Sequence, residues 1–406
     1  MKKNVFKNLD FVLIALTLFL LTIGLLTVYS ATYIPGKESN VFFTKQLTFA
    51  IFGFILMLIS AYLPFAILQR FSYFFYAVSI FLLILVFFIG VKGYGAERWL
   101  AFGAIKIQPS ELAKLATVLA VASYLSRREA DINKLPDLAV VLAMILLPFA
   151  LIIRQPDLGT SLVFLALLFP LLFWAGLNWF SLFILFAPAI TILVSFNFYS
   201  FLIWMLIIIA ILFISRKKIF ILTAVFLLHI AVGFATPQIW DSLRPYQQKR
   251  ILTFANPEAD PKGAGYQIIQ SKVAIGSGSM WGKGYLQGSQ THLKFLPAQH
   301  TDFIFSVIAE ERGFFGTAVV LSLFLALLLY MLYLATIVNS LFSSIVISGI
   351  TTIYLFHIVI NVGMTVGLAP VTGLPLPFIS YGGSFLLVIL LMMGIVLNLV
   401  RNRYKY

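Results

Sequence analysis

The amino-acid sequence predicts an all-α polytopic membrane protein, and composition, segment length and charge placement all support that fold class. Hydrophobic residues make up 61% of the 406 residues, and charged residues only 10%. That leaves too little polar surface to cover a water-soluble globule of this size, so lipid must solvate most of the chain. Apolar runs of roughly 20 residues, the length a helix needs to cross a bilayer, recur along the sequence. We therefore expect a single membrane domain with about 10–12 transmembrane helices.

The first apolar run follows a basic start that contains Lys2, Lys3 and Lys7. It is too long for a signal-peptide core and lacks a small-residue cleavage site, so we interpret it as a retained signal anchor with a cytoplasmic N-terminus. The segments expected to span, or nearly to span, cover approximately residues 11–31, 46–64, 71–90, 111–126, 138–153, 160–177, 180–197, 199–215, 219–236, 303–337, 340–366 and 383–400.

The stretch 180–236 allows two interpretations, because Pro188 and Asn197 interrupt its apolar runs. It forms either three spans, or one span with surface helices. The basic cluster at 215–218 favours three spans, since it then lies in the cytoplasm.

The placement of Lys and Arg predicts the orientation of the whole chain. With the N-terminus inside, the cytoplasmic connections collect most of these residues, among them Arg127 and Arg128, while the short outer loops are poorer in them. Both termini are then cytoplasmic, in a cytoplasmic (inner) membrane, and the polar stretch 237–302 is a large extracytoplasmic loop. The formal net charge of +14 is explained by orientation and anionic lipid rather than by nucleic acid.

The polar stretch 237–302 holds the residue that we expect to carry the chemistry. It ends in His300-Thr301-Asp302, directly before an apolar run. A carboxylate at the edge of the membrane is costly and usually functional, so Asp302 is the candidate catalytic residue, with His300 beside it. The stretch also contributes cations to a candidate anion site, together with a run of closely spaced glycines at 276–284. These cations are Arg244, Lys249, Arg250, Lys272 and Lys283. The alternative is a merely solvated loop, which leaves Asp302 unexplained.

Three smaller polar groups lie elsewhere. Arg98 and Trp99 form the first, and the tryptophan is expected to anchor at the interface or to pack on a substrate or partner. Glu111 and Lys114 stand three apart on a predicted helix, where they form a structural ion pair or reach a substrate. Asp157 is expected to cap the helix that follows it.

Near the C-terminus, residues 373–384 contain two prolines and paired glycines, and this composition cannot continue a straight helix. We predict a re-entrant or broken segment that lines a polar cavity, which makes Ser380 and Tyr381 candidate substrate contacts. The chain has no cysteine and only four scattered histidines. Thiol chemistry and Cys-based zinc sites are therefore excluded, and a His-rich metal site is not indicated.

Several of these strings together resemble the SEDS family of bacterial cell-wall polymerases. They run in order over most of the chain: Glu97-Arg98-Trp99, Gln108-Pro109-Ser110-Glu111 with Lys114, Gln155-Pro156-Asp157-Leu158-Gly159-Thr160, Asp260-Pro261 through Gly265-Tyr266, Gln270-Ser271-Lys272 with Ala274-Ile275-Gly276-Ser277-Gly278, His300-Thr301-Asp302-Phe303-Ile304-Phe305, and Pro375-Leu376-Pro377 through Ser380-Tyr381-Gly382-Gly383-Ser384. The runs at 276–278 and 287–290 are more similar to the elongation member than to the division member.

The resemblance implies a peptidoglycan glycosyltransferase that polymerises lipid II, carried on undecaprenyl pyrophosphate, into β-1,4 glycan strands outside the membrane. It also implies a partner, a class B penicillin-binding protein transpeptidase, and a role in the elongation machinery and rod shape. The chain departs from the family in two ways. Ala298 stands where a glutamate is usual, and the extra apolar length in 180–236 suits an inserted helix pair.

Glycosyl transfer needs a base for the incoming hydroxyl and stabilisation of the leaving pyrophosphate. Asp302 supplies the base, and a single inverting displacement suits one key carboxylate. The sequence requires no cofactor, although a divalent cation that bridges pyrophosphate and carboxylate is possible.

Two other classes of function remain open. One is a transporter of the lipid-linked precursor, which needs ionisable groups through the bilayer midplane. The other is a membrane scaffold without catalysis.

Overall fold

The structure is a computed structural model and describes residues 9–33, 40–93, 96–102, 105–215, 219–242, 248, 265–292 and 296–403. Fifteen helices and three short strands are assigned within these ranges. The helices are α1 (Phe11–Thr32), α2 (Val41–Tyr62), α3 (Phe65–Arg70), α4 (Ser72–Ile89), α5 (Pro109–Leu125), α6 (Leu135–Arg154), α7 (Leu158–Trp174), α8 (Trp179–Val194), α9 (Phe198–Ile214), α10 (Ile219–Ser242), α11 (Tyr266–Ser277), α12 (Ser289–His292), α13 (Ile304–Ile337), α14 (Leu341–Val366) and α15 (Gly383–Arg401).

The polytopic helical fold predicted from the sequence is confirmed. Among the described residues, eight helices are long and apolar enough to cross a membrane: α1, α2, α4, α6, α10, α13, α14 and α15. The predicted segments at 111–126, 160–177, 180–197 and 199–215 are also helices, although each is only 16 or 17 residues long. At 1.5 Å per residue these reach about 24–26 Å, just short of the hydrocarbon thickness.

Short polar side chains set where many helices begin. The oxygen of each accepts hydrogen bonds from first-turn amides that have no partner within the helix. The capping residues are Asp10 for α1, Asn40 for α2, Asp157 for α7, Asn178 for α8 and Asn197 for α9.

The centre of the molecule is formed by α14 and α15. About three quarters of the most apolar stretch of each is buried by other parts of the chain, 72% for α14 and 78% for α15. In α10 the corresponding share is only 17%, so that helix lies at the periphery. α5 packs into the centre as well, and its buried residues include both Glu111 and Lys114. Ionisable groups are therefore held at the core of the helix bundle.

The described residues of 180–236 form three helices, α8 to α10, of which α10 is long enough to span the membrane, and the choice between three spans and one stays a prediction. They share a small apolar core of their own, formed by Met205, Ile208, Leu212 and Val225. A buried polar contact joins the same helices, since the Thr191 hydroxyl lies 2.6 Å from His229 Nδ1. The basic cluster at 216–218 falls outside the described residues.

Strands between α4 and α5 were not expected from the sequence. Val91–Gly93, Ala96–Phe102 and Ile105–Ile107 form a three-stranded antiparallel sheet in the order β1-β2-β3. Trp99 pairs with Val91, and Leu100 with Ile107. The runs are too short for a period-two pattern to stand out, yet their β-branched and aromatic residues suit a half-buried ribbon. This small sheet was not predicted, but it leaves the all-α fold class intact.

The described parts of the polar stretch 237–302 pack against the helix bundle. α10 extends to Ser242, and α11 packs its buried residues Ile268, Ser271 and Ala274 against α13 and α14. The Ser271 hydroxyl donates to the carbonyl of Thr365 on α14, at 2.6 Å. Arg244 and Lys249 lie outside the described residues.

Residues 367–382 are non-helical, which confirms the predicted break between two long helices, and Leu374 and residues 376–380 are buried. Leu376, Phe378 and Ile379 are at most 1% exposed. Phe378 has a φ of 63°, in the left-handed region that non-glycine residues seldom adopt. Irregular backbone at this depth needs partners for its polar groups, and side chains from α2 and α14 provide them.

Candidate active site

Asp302 is held by a tight turn immediately before α13. The turn starts at Ala298, whose φ of 53° lies in the left-handed region. The carbonyl of Ala298 accepts the amides of Thr301 and Asp302, both at 3.1 Å. Strained backbone of this kind often marks a functional site. With alanine at position 298, Asp302 is the one carboxylate of the turn formed by residues 298–302.

A single side chain on α14 joins Asp302 to the irregular segment. Asn361, which is fully buried, donates to the carbonyl of Asp302 at 2.9 Å and to that of Leu374 at 2.8 Å. Gly373, the residue before Leu374, lies against the Asp302 carboxylate. A Cβ built on Gly373 would be 3.5 Å from Asp302 Oδ2. Gly373 has a φ of 74°, so glycine is suited to this wall of the site.

Burial raises the pKa of the Asp302 carboxyl from 3.8 to about 6, and the hydrogen bond from the Thr301 side chain opposes this rise. Within the described residues, Asp302 forms no ion pair. The carboxylate is therefore partly desolvated and has the pKa of a useful base near neutral pH. The sequence expectation that cations surround Asp302 is not met within the described part of the chain.

His300, Ser380 and Tyr381, all named from the sequence, lie together beside Asp302. The Tyr381 amide donates to the His300 carbonyl at 2.9 Å, and the two rings lie 5.5 Å apart. Phe42 of α2 contacts both rings, with centroid distances of 5.0 and 5.3 Å. Burial lowers the pKa of His300, so its ring is neutral at pH 7. These half-buried rings form an aromatic rim suited to stacking against a sugar.

Ser380 is structural rather than exposed to a ligand. Its hydroxyl donates to the Thr301 carbonyl at 2.6 Å and accepts the Leu376 amide at 2.8 Å. Gln46 of α2 fixes the same backbone, donating to the Ser380 carbonyl at 3.1 Å and accepting the Gly382 amide at 3.2 Å. The irregular segment is thus tied to the Asp302 turn from two sides.

Arg98 and Asp157 form a separate ion pair at 3.5 Å. Asp157 caps α7, as expected, by accepting the amide and hydroxyl of Thr160 at 3.2 and 3.0 Å. Arg98 also donates to the carbonyls of Gln155 and Pro156. Trp99 follows in β2 and is half-buried. These contacts attach the small sheet to the start of α7 and occupy both charged groups.

Glu111 and Lys114 pair at 2.8 Å, which confirms the expected contact on α5. Lys114 Nζ also lies 2.9 Å from His357 Nε2 on α14. His357 was noted in the sequence only as one of four scattered histidines. Asn361, one turn further along the same helix, was also missed, although a polar residue inside an apolar span is a recognisable signal.

The glycine-spaced run 276–284 packs against α13 instead of presenting its amides to an anion. A Cβ at Gly278 would lie 1.9 Å from the Ala309 carbonyl oxygen. The amides of Lys283 and Gly284 donate to the carbonyls of Glu310 and Glu311, both at 3.0 Å. These amides already have partners, and close backbone contact with α13 explains Gly278 and Gly282.

The two described lysines of the polar stretch are also engaged structurally. Lys283 forms an ion pair with the fully buried Glu310, at 2.8 Å. Lys272 is exposed on α11, and its ammonium lies beside Gly367, where α14 ends, a favourable place for a cation. Within the described ranges, no group of three or more His, Cys, Asp or Glu side chains is arranged to hold a metal ion.

The chain is similar over nearly its whole length to proteins of one known family. The family model described as cell cycle protein, FtsW/RodA/SpoVE, matches residues 11–201 and 185–405. The peptidoglycan glycosyltransferase MrdB of Escherichia coli K12 is 36% identical over 398 residues, covering 98% of this chain and 94% of MrdB. The peptidoglycan glycosyltransferase RodA of Treponema pallidum is 34% identical and covers 97% of both chains. Stage V sporulation protein E of Bacillus subtilis is also 34% identical, over 97% of this chain and 98% of its own.

Two solved structures share the fold over nearly the whole chain. A chain from a study of structural coordination of polymerization and crosslinking by a peptidoglycan synthase complex has a TM-score of 0.76 and 30% identity, covering 99% of this chain and 100% of its own. The rod shape determining protein RodA of Thermus thermophilus has a TM-score of 0.66 and 27% identity, covering 99% of both chains. Family match, relatives and fold agree, and the chain belongs to the FtsW/RodA/SpoVE family, the SEDS proteins, on the RodA side of it.

Proposed function

We propose that this protein is a peptidoglycan glycosyltransferase that polymerises lipid II into β-1,4 glycan strands at the outer face of the cytoplasmic membrane, for cell elongation. The observation that carries the proposal is Asp302, a partly desolvated carboxylate whose pKa is raised to about 6. It stands at the head of a membrane-spanning helix, beside an aromatic rim. Relatives named peptidoglycan glycosyltransferase, which match nearly the full length of the chain, support the reaction class.

In the proposed reaction Asp302 accepts the proton of the acceptor hydroxyl. The resulting oxygen nucleophile attacks the anomeric carbon of the donor sugar, and the bond to the pyrophosphate oxygen breaks. The undecaprenyl pyrophosphate leaves with both bonding electrons. An α-linked donor and a β-linked product require one inversion, which one base can support without a covalent intermediate.

The neutral His300 and Tyr381 are suited to packing on the sugar rings beside Asp302. Stabilisation of the departing pyrophosphate requires cations. Arg244 and Lys249 remain candidates for that role outside the described residues, whereas Arg98, Lys114 and Lys283 are committed to Asp157, Glu111 and Glu310. A divalent cation is a further candidate, and no step proposed here depends on it.

We further propose that a class B penicillin-binding protein is the partner and that both termini face the cytoplasm. The similarity to a chain from a peptidoglycan synthase complex supports a partner that crosslinks what this enzyme polymerises. The concentration of Lys and Arg on one set of connections supports the orientation.

Purified protein incubated with lipid II tests the reaction, with glycan length read on a gel. We expect wild-type protein to form polymer and the Asp302→Asn variant to form none, since an amide cannot accept the proton. Asp241→Asn is the matched control, because Asp241 is an exposed carboxylate at the end of α10. Substantial polymer from Asp302→Asn would rule out the base.

Transport of lipid-linked precursor is the second candidate, and the buried Glu111–Lys114 pair is the feature that favours it. Liposomes that contain only this protein and fluorescent lipid II distinguish the two functions. Transport that survives Asp302→Asn, without polymer formation by the wild type, would favour a transporter.

A further inference from the structure

A chain of three buried side chains crosses the centre of the molecule from α5 to α14. Glu111 Oε2 lies 2.8 Å from Lys114 Nζ, which lies 2.9 Å from His357 Nε2. None of the three residues is more than 3% exposed. Phe385 of α15 encloses the chain, with its ring 5.1 Å from that of His357 and 5.7 Å from the Lys114 ammonium. Three helices therefore meet at His357.

Donor and acceptor roles fix the state of the histidine ring. The Lys114 ammonium can only donate, so His357 Nε2 must accept. The proton of the neutral ring is then on Nδ1, which donates to the Pro375 carbonyl at 3.0 Å. Pro375 lies in the non-helical segment, where its carbonyl has no helical partner and is costly to leave unpaired at this depth. His357 thus joins a charged pair on α5 to the irregular backbone.

The backbone held by His357 is the wall of the Asp302 site. Pro375 is two residues from Gly373, which borders the Asp302 carboxylate. On its other side, the Leu376 amide donates to Ser380, which in turn donates to the Thr301 carbonyl. A displacement at Pro375 would therefore reach Asp302 on one flank through Gly373 and on the other through the two Ser380 hydrogen bonds, of 2.8 and 2.6 Å.

We propose that His357 is a positioning residue for glycosyl transfer: bridged between Lys114 and the Pro375 carbonyl, it holds segment 373–380 against Asp302. This inference rests on the proposed function. Among the described residues, the titratable groups that face His357 are Lys114 and, through Lys114, Glu111, both on α5. Around Asp302 they are His300 and, across the rim, Tyr381.

The test is the pH dependence of lipid II polymerisation by full-length protein with three substitutions at position 357. His357→Leu removes both contacts, and we expect kcat to fall about 10- to 100-fold, as for a misplaced catalytic group. We also expect the acid-side midpoint of the profile of polymerisation rate against pH to fall below about 6, because a loosened segment 373–380 admits water to Asp302. His357→Asn can still donate to the Pro375 carbonyl from near the Nδ1 position, so it should restore most of kcat and the wild-type midpoint. His357→Gln keeps mainly the Lys114 contact and should restore less.

Tyr354→Phe is the matched control. Tyr354 lies on the same helix, is fully buried, and donates one hydrogen bond to the Ile389 carbonyl of α15 at 2.7 Å. Phenylalanine loses that bond but keeps the ring that packs on Phe378, at a centroid distance of 5.4 Å. It reports the effect of losing a buried hydrogen bond on stability alone. A His357→Leu variant that matches Tyr354→Phe in kcat and midpoint would overturn the inference.

If His357→Leu does not fold, the kcat values of His357→Asn and His357→Gln test the inference. Recovery by His357→Gln but not by His357→Asn would show that the Lys114 contact matters and would also overturn the inference. The proposed function fails separately, if wild-type protein makes no polymer or Asp302→Asn makes it freely.

Discussion

Asp302→Asn is expected to stabilise the folded protein at neutral pH while it removes activity. Burial raises the pKa of this carboxyl from 3.8 to about 6, so the folded state binds the proton more tightly than the unfolded chain. Below pH 3.8 the group is protonated in both states, and its ionisation costs nothing. As pH rises from 3.8 to 6 only the unfolded chain gains from ionisation, and above pH 6 the folded state bears the whole penalty. Stability is therefore lost as pH rises through this window.

The size of the effect follows from the shift in pKa. About two pKa units correspond to about 3 kcal/mol, which is an upper limit. Water reaches part of the side chain, so we expect a gain of about 1–2 kcal/mol on replacing the carboxylate with a neutral amide of the same shape. The gain should be present at pH 8 and nearly absent at pH 4.

Thermal unfolding of purified protein in detergent measures this difference. The wild type and Asp302→Asn are compared at pH 4 and pH 8, with Asp241→Asn as the control for loss of an exposed carboxylate. A stabilisation of equal size at both pH values would refute the reasoning, as would a loss of stability at pH 8 only. Either result would mean that Asp302 is not held desolvated in the folded state.

Two further predictions concern the packing of the polar stretch on α13. Gly278→Ala should destabilise the fold by about 3 kcal/mol or more, since its Cβ would overlap the Ala309 carbonyl. In Gly276→Ala the added Cβ meets nothing within 4 Å, so this control should have little effect. The melting temperatures of the two variants test the difference, and equal values would contradict the packing. Lys283→Met removes the ammonium that lies 2.8 Å from the buried Glu310 carboxylate and should cost about 2–3 kcal/mol after allowance for the partly exposed lysine. Adding Glu310→Gln should recover most of that loss in chemical denaturation, and a double variant as unstable as Lys283→Met would exclude the ion pair as the cause.

Asp302 was identified from the sequence because a polar stretch ended in a carboxylate where an apolar run began. Ser380 and Tyr381 were found because proline and glycine cannot continue a helix. The structure places these residues together, although almost 80 residues separate Thr301 from Ser380. The sequence could not group its candidates in this way. Arg98 with Asp157, Glu111 with Lys114, and Lys283 each belong to separate contacts.

By itself the sequence determined the helical membrane fold and the location of the key carboxylate. Both follow from local chemistry, since a bilayer demands long apolar helices and penalises isolated charge. Only the tertiary structure decided how far Asp302 is desolvated, that Asn361 and His357 hold the backbone around it, and that the glycine run packs on α13. Those outcomes depend on contacts between residues distant in the chain, such as Lys114 and His357, and no local pattern encodes such a pairing.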